Sequence, residues 1–157
     1  MRNSCWTLIA MLLLGSCSGL STLTPEMLDR AEAKWSEGKP ASYRLVVSME
    51  GDRVERGEFD VQVQNGVVTS LKRNGEVVNL KSGEDYSMDG LFKMVRNEMD
   101  LARNPSLFGA PAGYSAYLMA RFDDMGKLQH YRRAVGGISN SIDIQILAFE
   151  AKSQSGK

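Results

Sequence analysis

One histidine, two cysteines and four prolines are all that this chain of 157 residues holds of those three types. A single histidine, His130, rules out a His-pair metal site and leaves no spare base for a Ser-His or Cys-His system. It reads as a half-buried strand residue. Lys plus Arg and Asp plus Glu balance at 19 each, so no basic field points to nucleic acid and no polybasic patch adds to lipid binding. No G-x-G-x-x-G and no G-x-x-x-x-G-K-[ST] is present, which removes the usual phosphate loops. There is no internal repeat. No apolar run is long enough to span a bilayer as a helix; residues 6–14 are apolar apart from Thr7, the length of a signal-peptide core.

That short run carries the clearest message in the chain. It follows a positive start at Arg2 and leads into Leu14-Gly15-Ser16-Cys17, which resembles a bacterial lipobox. The alternative is an ordinary secretory signal with an incidental Cys17. The lipobox resemblance implies a signal peptide over 1–16, cleavage before Cys17, diacylglycerol on its sulfur and an acyl chain on the new amine. More than one buried chain turns marginal binding into stable anchoring. Ser18, where an aspartate would suggest inner-membrane retention, favours the periplasmic face of the outer membrane if the source is Gram-negative. Residues 17–24 are expected to form a lipidated tether, which places the domain close to the headgroups. Cys5 leaves with the signal, so the mature domain of about 140 residues has no internal disulfide and no thiolate metal site. Its stability must come from an apolar core.

Residues 25–150 read as one domain. Thr24-Pro25-Glu26 starts a helix with a hydroxyl cap, proline at the first position and an acid in the first turn. Leu28, Ala31 and Trp35 recur on one face, and Gly38 and Pro40 stop it. Alternation then predicts strands at 42–50, 56–64, 67–73 and 76–80, with Phe59, Val61 and Val63 against Glu58, Asp60, Gln62 and Gln64 the cleanest. At Asn65-Gly66, pairing like with like favours a three-residue turn with Gly66 as bulge, setting Val63 opposite Val67, Val61 opposite Thr69 and Phe59 opposite Leu71. At Asn74-Gly75 the same test favours a two-residue turn, with Arg73 opposite Glu76 and Leu71 opposite Val78.

Ser87 caps a second helix whose stripe is Leu91, Phe92, Val95, Met99 and Ala102, ended by Asn104-Pro105. A Pro/Gly loop over 105–114 leads to strands at about 115–122, 127–135 and 141–150. The polar tail 151–157 is expected to be disordered. The fold expected is α+β: an antiparallel sheet in the order α-β-β-β-β-α-β-β-β, with both helices on one face. Phe59, Val61, Val63, Leu71, Phe92, Val95, Ile144 and Ile146 should form the core, with Trp35 over one end.

The acids Asp123, Asp124, Glu84, Asp85 and Asp89 sit at a turn and a helix start, where carboxylates satisfy free backbone N–H groups. A hydrolase would need two of them facing across a cleft. A bulge turn at Gly126 would place Leu128, His130 and Arg132 with Ala120 and Phe122. Tyr117, Met119 and Tyr131 would then share the opposite face, Tyr117 near Arg133. Such a Tyr/Met patch could dock a partner or an acyl chain; it could equally be ordinary surface aromatics, or the two faces could be exchanged.

The layout resembles a family of small bacterial secreted proteins and lipoproteins known only as a domain of unknown function. The shared features are Trp35 and Tyr43, Val61-x-Val63-x-x-Gly66-x-Val68, Leu91-Phe92, Asp123-x-x-Gly126 and Asp143. Two features differ. A cysteine pair in the early strands is absent, and Lys127-Leu128-Gln129 stands where a proline often follows the turn glycine. The resemblance supports the fold order and supplies no activity, cofactor or functional residue. The expected role is therefore non-enzymatic: a membrane-anchored cell-envelope domain that binds a protein partner. An apolar-ligand or lipid carrier and a carboxylate hydrolase are the alternatives.

Overall fold

The computed structural model describes residues 19–79 and 85–152. Residues 1–18, with the signal segment and Cys17, lie outside the described residues, as do Glu84 and 153–157. The first helix, α1 (Pro25–Gly38), begins where Thr24 Oγ1 accepts the Met27 N–H at 3.2 Å. Then come β2 (Tyr43–Gly51), β3 (Gly57–Gln64), β4 (Val67–Arg73), β5 (Glu76–Val77), α2 (Met88–Leu101), a 3-10 turn (Pro105–Phe108), β6 (Ala116–Phe122), β7 (Leu128–Val135) and β8 (Ser141–Ala151). A short β1 (Ser21–Thr22) precedes α1. All eight strands form one antiparallel sheet in the order β1-β6-β7-β8-β2-β3-β4-β5. This is the expected α+β fold.

Every second residue of β2 (Tyr43, Leu45, Val47, Met49) and of β3 (Phe59, Val61, Val63) is buried. They join Leu28, Ala31 and Trp35 of α1 and Leu91, Phe92 and Val95 of α2 in one cluster, so both helices cover the same sheet face. The expected core holds, except that Ile146 is only partly buried. Trp35 meets Tyr43 edge-on at 5.7 Å and Phe149 at 5.8 Å, closing one end, and its indole N–H donates to Asp89 Oδ1 at 2.8 Å.

Three strands carry an extra residue that the sequence pattern hides. Asn65 and Gly66 both have positive φ and form a two-residue hairpin turn, not the expected bulge turn. Gln64 therefore pairs with Val67 and Val63 with Val68, and β4 shifts register one step in, so that Val61 meets Leu71 and Phe59 meets Arg73. A plain hairpin would have sent Leu71 to the wrong face; the internal bulge returns it to the core. Asn74-Gly75 forms the two-residue turn expected, with Arg73 opposite Glu76. The turn Asp123–Lys127 closes on Gly126, with the Gly126 N–H bonded to Asp123 O and Asp123 N–H to Lys127 O. A further bulge follows at once, because Phe122 pairs with Leu128 but Arg121 with His130, leaving Gln129 unpaired. In β8 the register shifts between Val46 and Val47, leaving Leu147 as the extra residue.

Both ends of the domain differ from expectation. Ser21 pairs with Ala120 and Thr22 with Met119, the Leu23 N–H bonds to Leu118 O, and Leu23 is buried. Residues 21–23 thus belong to the sheet and not to a free tether. At the other terminus Ala151 pairs with Tyr43 and the Lys152 N–H bonds to Ser42 O, so the ordered domain runs past 150.

Candidate functional site

The bulge at Gln129 decides the fate of the expected docking face. Tyr117 is 59% exposed on the face away from the helices, and Met119, beside Thr22 and Arg132, is half-buried on that same face. Tyr131 is fully buried opposite Ala120, under the helices. The extra residue inverts the alternation of β7, so Tyr131, Arg133 and Val135 point inward while His130 and Arg132 point out. Tyr117 and Met119 remain together; Tyr131 leaves the patch. Arg133 is opposite Leu118, not beside Tyr117.

The register also separates two ends of the sheet. Antiparallel pairing puts the start of β6, the end of β7 and the start of β8 together, with the 3-10 turn packed on them through Phe108. The turn Asp123–Lys127 lies at the opposite end, with the end of β8. Leu107, Tyr114 and Tyr117, each about half exposed, all lie at the first end. Tyr114 lies over Gly136 and Gly137, where an added Cβ would come within 2.9 and 3.2 Å of its ring.

Beneath that end lies a polar cluster. Arg133 is fully buried, its guanidinium 4.1 Å over the Phe108 ring, with Nη2 donating to Asn140 Oδ1 at 2.5 Å. Asn140 in turn donates to Phe108 O at 2.9 Å, which ties the 3-10 turn to the sheet. Arg133 Nε lies 3.3 Å from Glu98 Oε2 of α2, and Glu98 is only 5% exposed. Burial raises the Glu98 carboxyl above its ordinary range, with Arg133 and Arg53 opposing. Burial lowers the Arg133 guanidinium, and it raises the Tyr131 phenol nearby, which keeps that hydroxyl neutral. Glu98 also lines a cleft of about 270 Å³ with Met49, Arg53, Tyr86, Met94 and Asn97. This cluster was not foreseen. Its signal, an arginine at an inward strand position, is readable only once the bulge at Gln129 is known.

Four of the remaining candidate groups, Asp85, Asp89, Asp123 and His130, have structural partners. Asp123 Oδ1 accepts the N–H groups of Met125 and Lys127, and Asp85 Oδ1 that of Ser87. Asp89 instead holds the Trp35 indole and, at 2.8 Å, Lys39 Nζ. His130 Nε2 lies 2.9 Å from Asp143 Oδ1 across β7 and β8. Among the described residues no three His, Cys, Asp or Glu side chains gather as a metal site would require, and no helix is long and apolar enough to cross a membrane. The helix-covered sheet face is filled by Trp35, Leu91, Phe92 and Val95.

The chain matches none of the curated proteins. The profile of one family of unknown function matches residues 27–105, which run from α1 through β2–β5 and α2 to the start of the 3-10 turn and cover half of the sequence.

Proposed function

The chain belongs to that family of unknown function, DUF6174, a kinship that brings no activity with it, and we propose that it is a bacterial lipoprotein domain of the cell envelope that binds a protein partner. In this reading Cys17 carries the lipid and the domain acts by binding, not turnover. The observation that carries it is the pairing of Ser21 and Thr22 with β6, four residues after Cys17. A connection that short spans at most roughly 14 Å, so a lipid on Cys17 would hold one end of the sheet against the bilayer. The exposed Leu107, Tyr114 and Tyr117 would then face away from the membrane, where an envelope partner can reach them. In a Gram-negative source the periplasmic face of the outer membrane is the expected site.

Two experiments test this. Cys17→Ser should move the protein from the membrane to the soluble fraction; unchanged fractionation contradicts the anchor. A photo-crosslinking residue at position 117 in cells should give a discrete adduct that the same residue at position 67, exposed far along the sheet, does not. Equal labelling from both positions, or none, contradicts a docking role for this end.

A further inference from the structure

β1 runs antiparallel to β6, with Ser21 at Ala120 and Thr22 at Met119. Followed backwards, the chain therefore heads for Arg121 and Phe122, toward the turn Asp123–Lys127 and away from Tyr117. Cys17 is two residues before Gly19, the first described residue. The described chain therefore begins at the same end of the sheet as this turn.

That end is built unlike an ordinary solvated hairpin. Met125, at the tip of the turn, is 52% exposed. Beside it β7 and β8 pair only from Ala134↔Ser141 to His130↔Gln145 and then part, while β8 keeps its pairing with β2 to Ala151. The gap is a groove of about 540 Å³ of mixed lining, with Phe122, Ile146, Leu147 and Phe149 beside Arg121, Asp123, Lys127 and Gln129, and with Leu147 50% exposed at its lip. Lys127 Nζ lies 4.3 Å over the Phe149 ring and 3.2 Å from Asp123. Arg30 and Lys34 of α1 border the same turn. Asp123 and Lys127 offset each other's charge, which leaves Asp124 as the acid at the tip and Arg30 and Lys34 as the cations beside it. Two exposed apolar side chains, Met125 and Leu147, with Arg30 and Lys34 beside the turn suit the headgroup level of a bilayer, where apolar tips enter and basic groups meet lipid phosphates.

We infer that the Asp123–Lys127 end is a membrane-contacting surface, with Met125 and Leu147 seated at headgroup depth and the β7–β8 groove opening toward the lipid. The inference rests on Cys17 lipidation and adds to it an orientation: the lipid holds this end down, and the Tyr117 end points away.

Cys5 and Cys17 are the only cysteines, so in the mature lipidated protein an added cysteine takes a label alone. Met125→Cys, with Leu147→Cys in its place should the first fail to fold, and Tyr117→Cys as the distal comparison, carry an environment-sensitive fluorophore. Each is reconstituted in vesicles of phosphatidylethanolamine and phosphatidylglycerol, with and without quencher-bearing lipid. The expected result is a blue-shifted emission at 125 or 147 and severalfold quenching by the quencher lipid, with water-like emission and little quenching at 117. Water-like emission at 125 and 147 in protein that floats with the vesicles overturns the orientation alone, as does stronger quenching at 117. Protein that does not float overturns the anchor and the orientation with it.

Discussion

Arg133 Nε of β7 and Glu98 Oε2 of α2 lie 3.3 Å apart with both side chains closed off from solvent. A buried ion pair costs desolvation on both partners, so its removal as a pair and its breakage have different consequences. Glu98→Ala or Arg133→Ala leaves one charge buried alone and should cost about 3–5 kcal/mol in chemical denaturation. Glu98→Leu combined with Arg133→Met should cost far less than the sum. Additive losses would mean the two groups do not act together.

The same carboxyl sets a pH dependence. Burial raises the folded-state pKa of Glu98 above its ordinary 4.5. Its contribution to stability is then full below the unfolded value and is lost as pH rises through the raised folded value. Measured against Glu98→Gln, the wild-type protein should lose relative stability as pH rises above the carboxyl's ordinary 4.5. A gain across that window would contradict the assignment.

Tyr43 joins the sheet to the second helix. Its hydroxyl accepts the Met88 N–H at 3.1 Å at the start of α2, and burial pushes the phenol up to about 12. Tyr43→Phe leaves that N–H without its acceptor and should cost about 1–3 kcal/mol. A neutral substitution would show that the helix start is satisfied elsewhere.

The register of β3 is testable by a pair of truncations. Phe59 is buried and stacked on Tyr86 at 4.3 Å, so Phe59→Ala should cost about 3–5 kcal/mol. Gln62, on the other face, accepts from the exposed Lys152 Nζ, and Gln62→Ala should stay within about 0.5 kcal/mol. Equal losses would contradict the facing of the strand.

Much of this fold is written in local pattern. Thr24 and Ser87 cap the two helices as hydroxyls before helical runs do, and strict alternation in Phe59, Val61 and Val63 gives a strand with one buried face. What stayed hidden is where a strand takes in one extra residue. Thr69, Gln129 and Leu147 fill these positions, and none is a glycine or proline that would advertise a bulge. Each is set by what the far strand must bury, so pattern within the strand cannot reveal it. The extra residue at Gln129 matters most: without it, alternation turns Tyr131 to the outer face and hides the Arg133–Glu98 pair. β1 was equally silent, because two residues such as Ser21 and Thr22 become a strand only through the edge of β6.

The central claim, that this domain is held to a membrane through Cys17, is tested most directly by the intact mass of the mature protein from its native membrane. The account predicts a chain that begins at Cys17 and carries diacylglycerol on sulfur and an acyl group on the α-amine. A mature chain that begins at any other residue, or an unmodified Cys17, would contradict it.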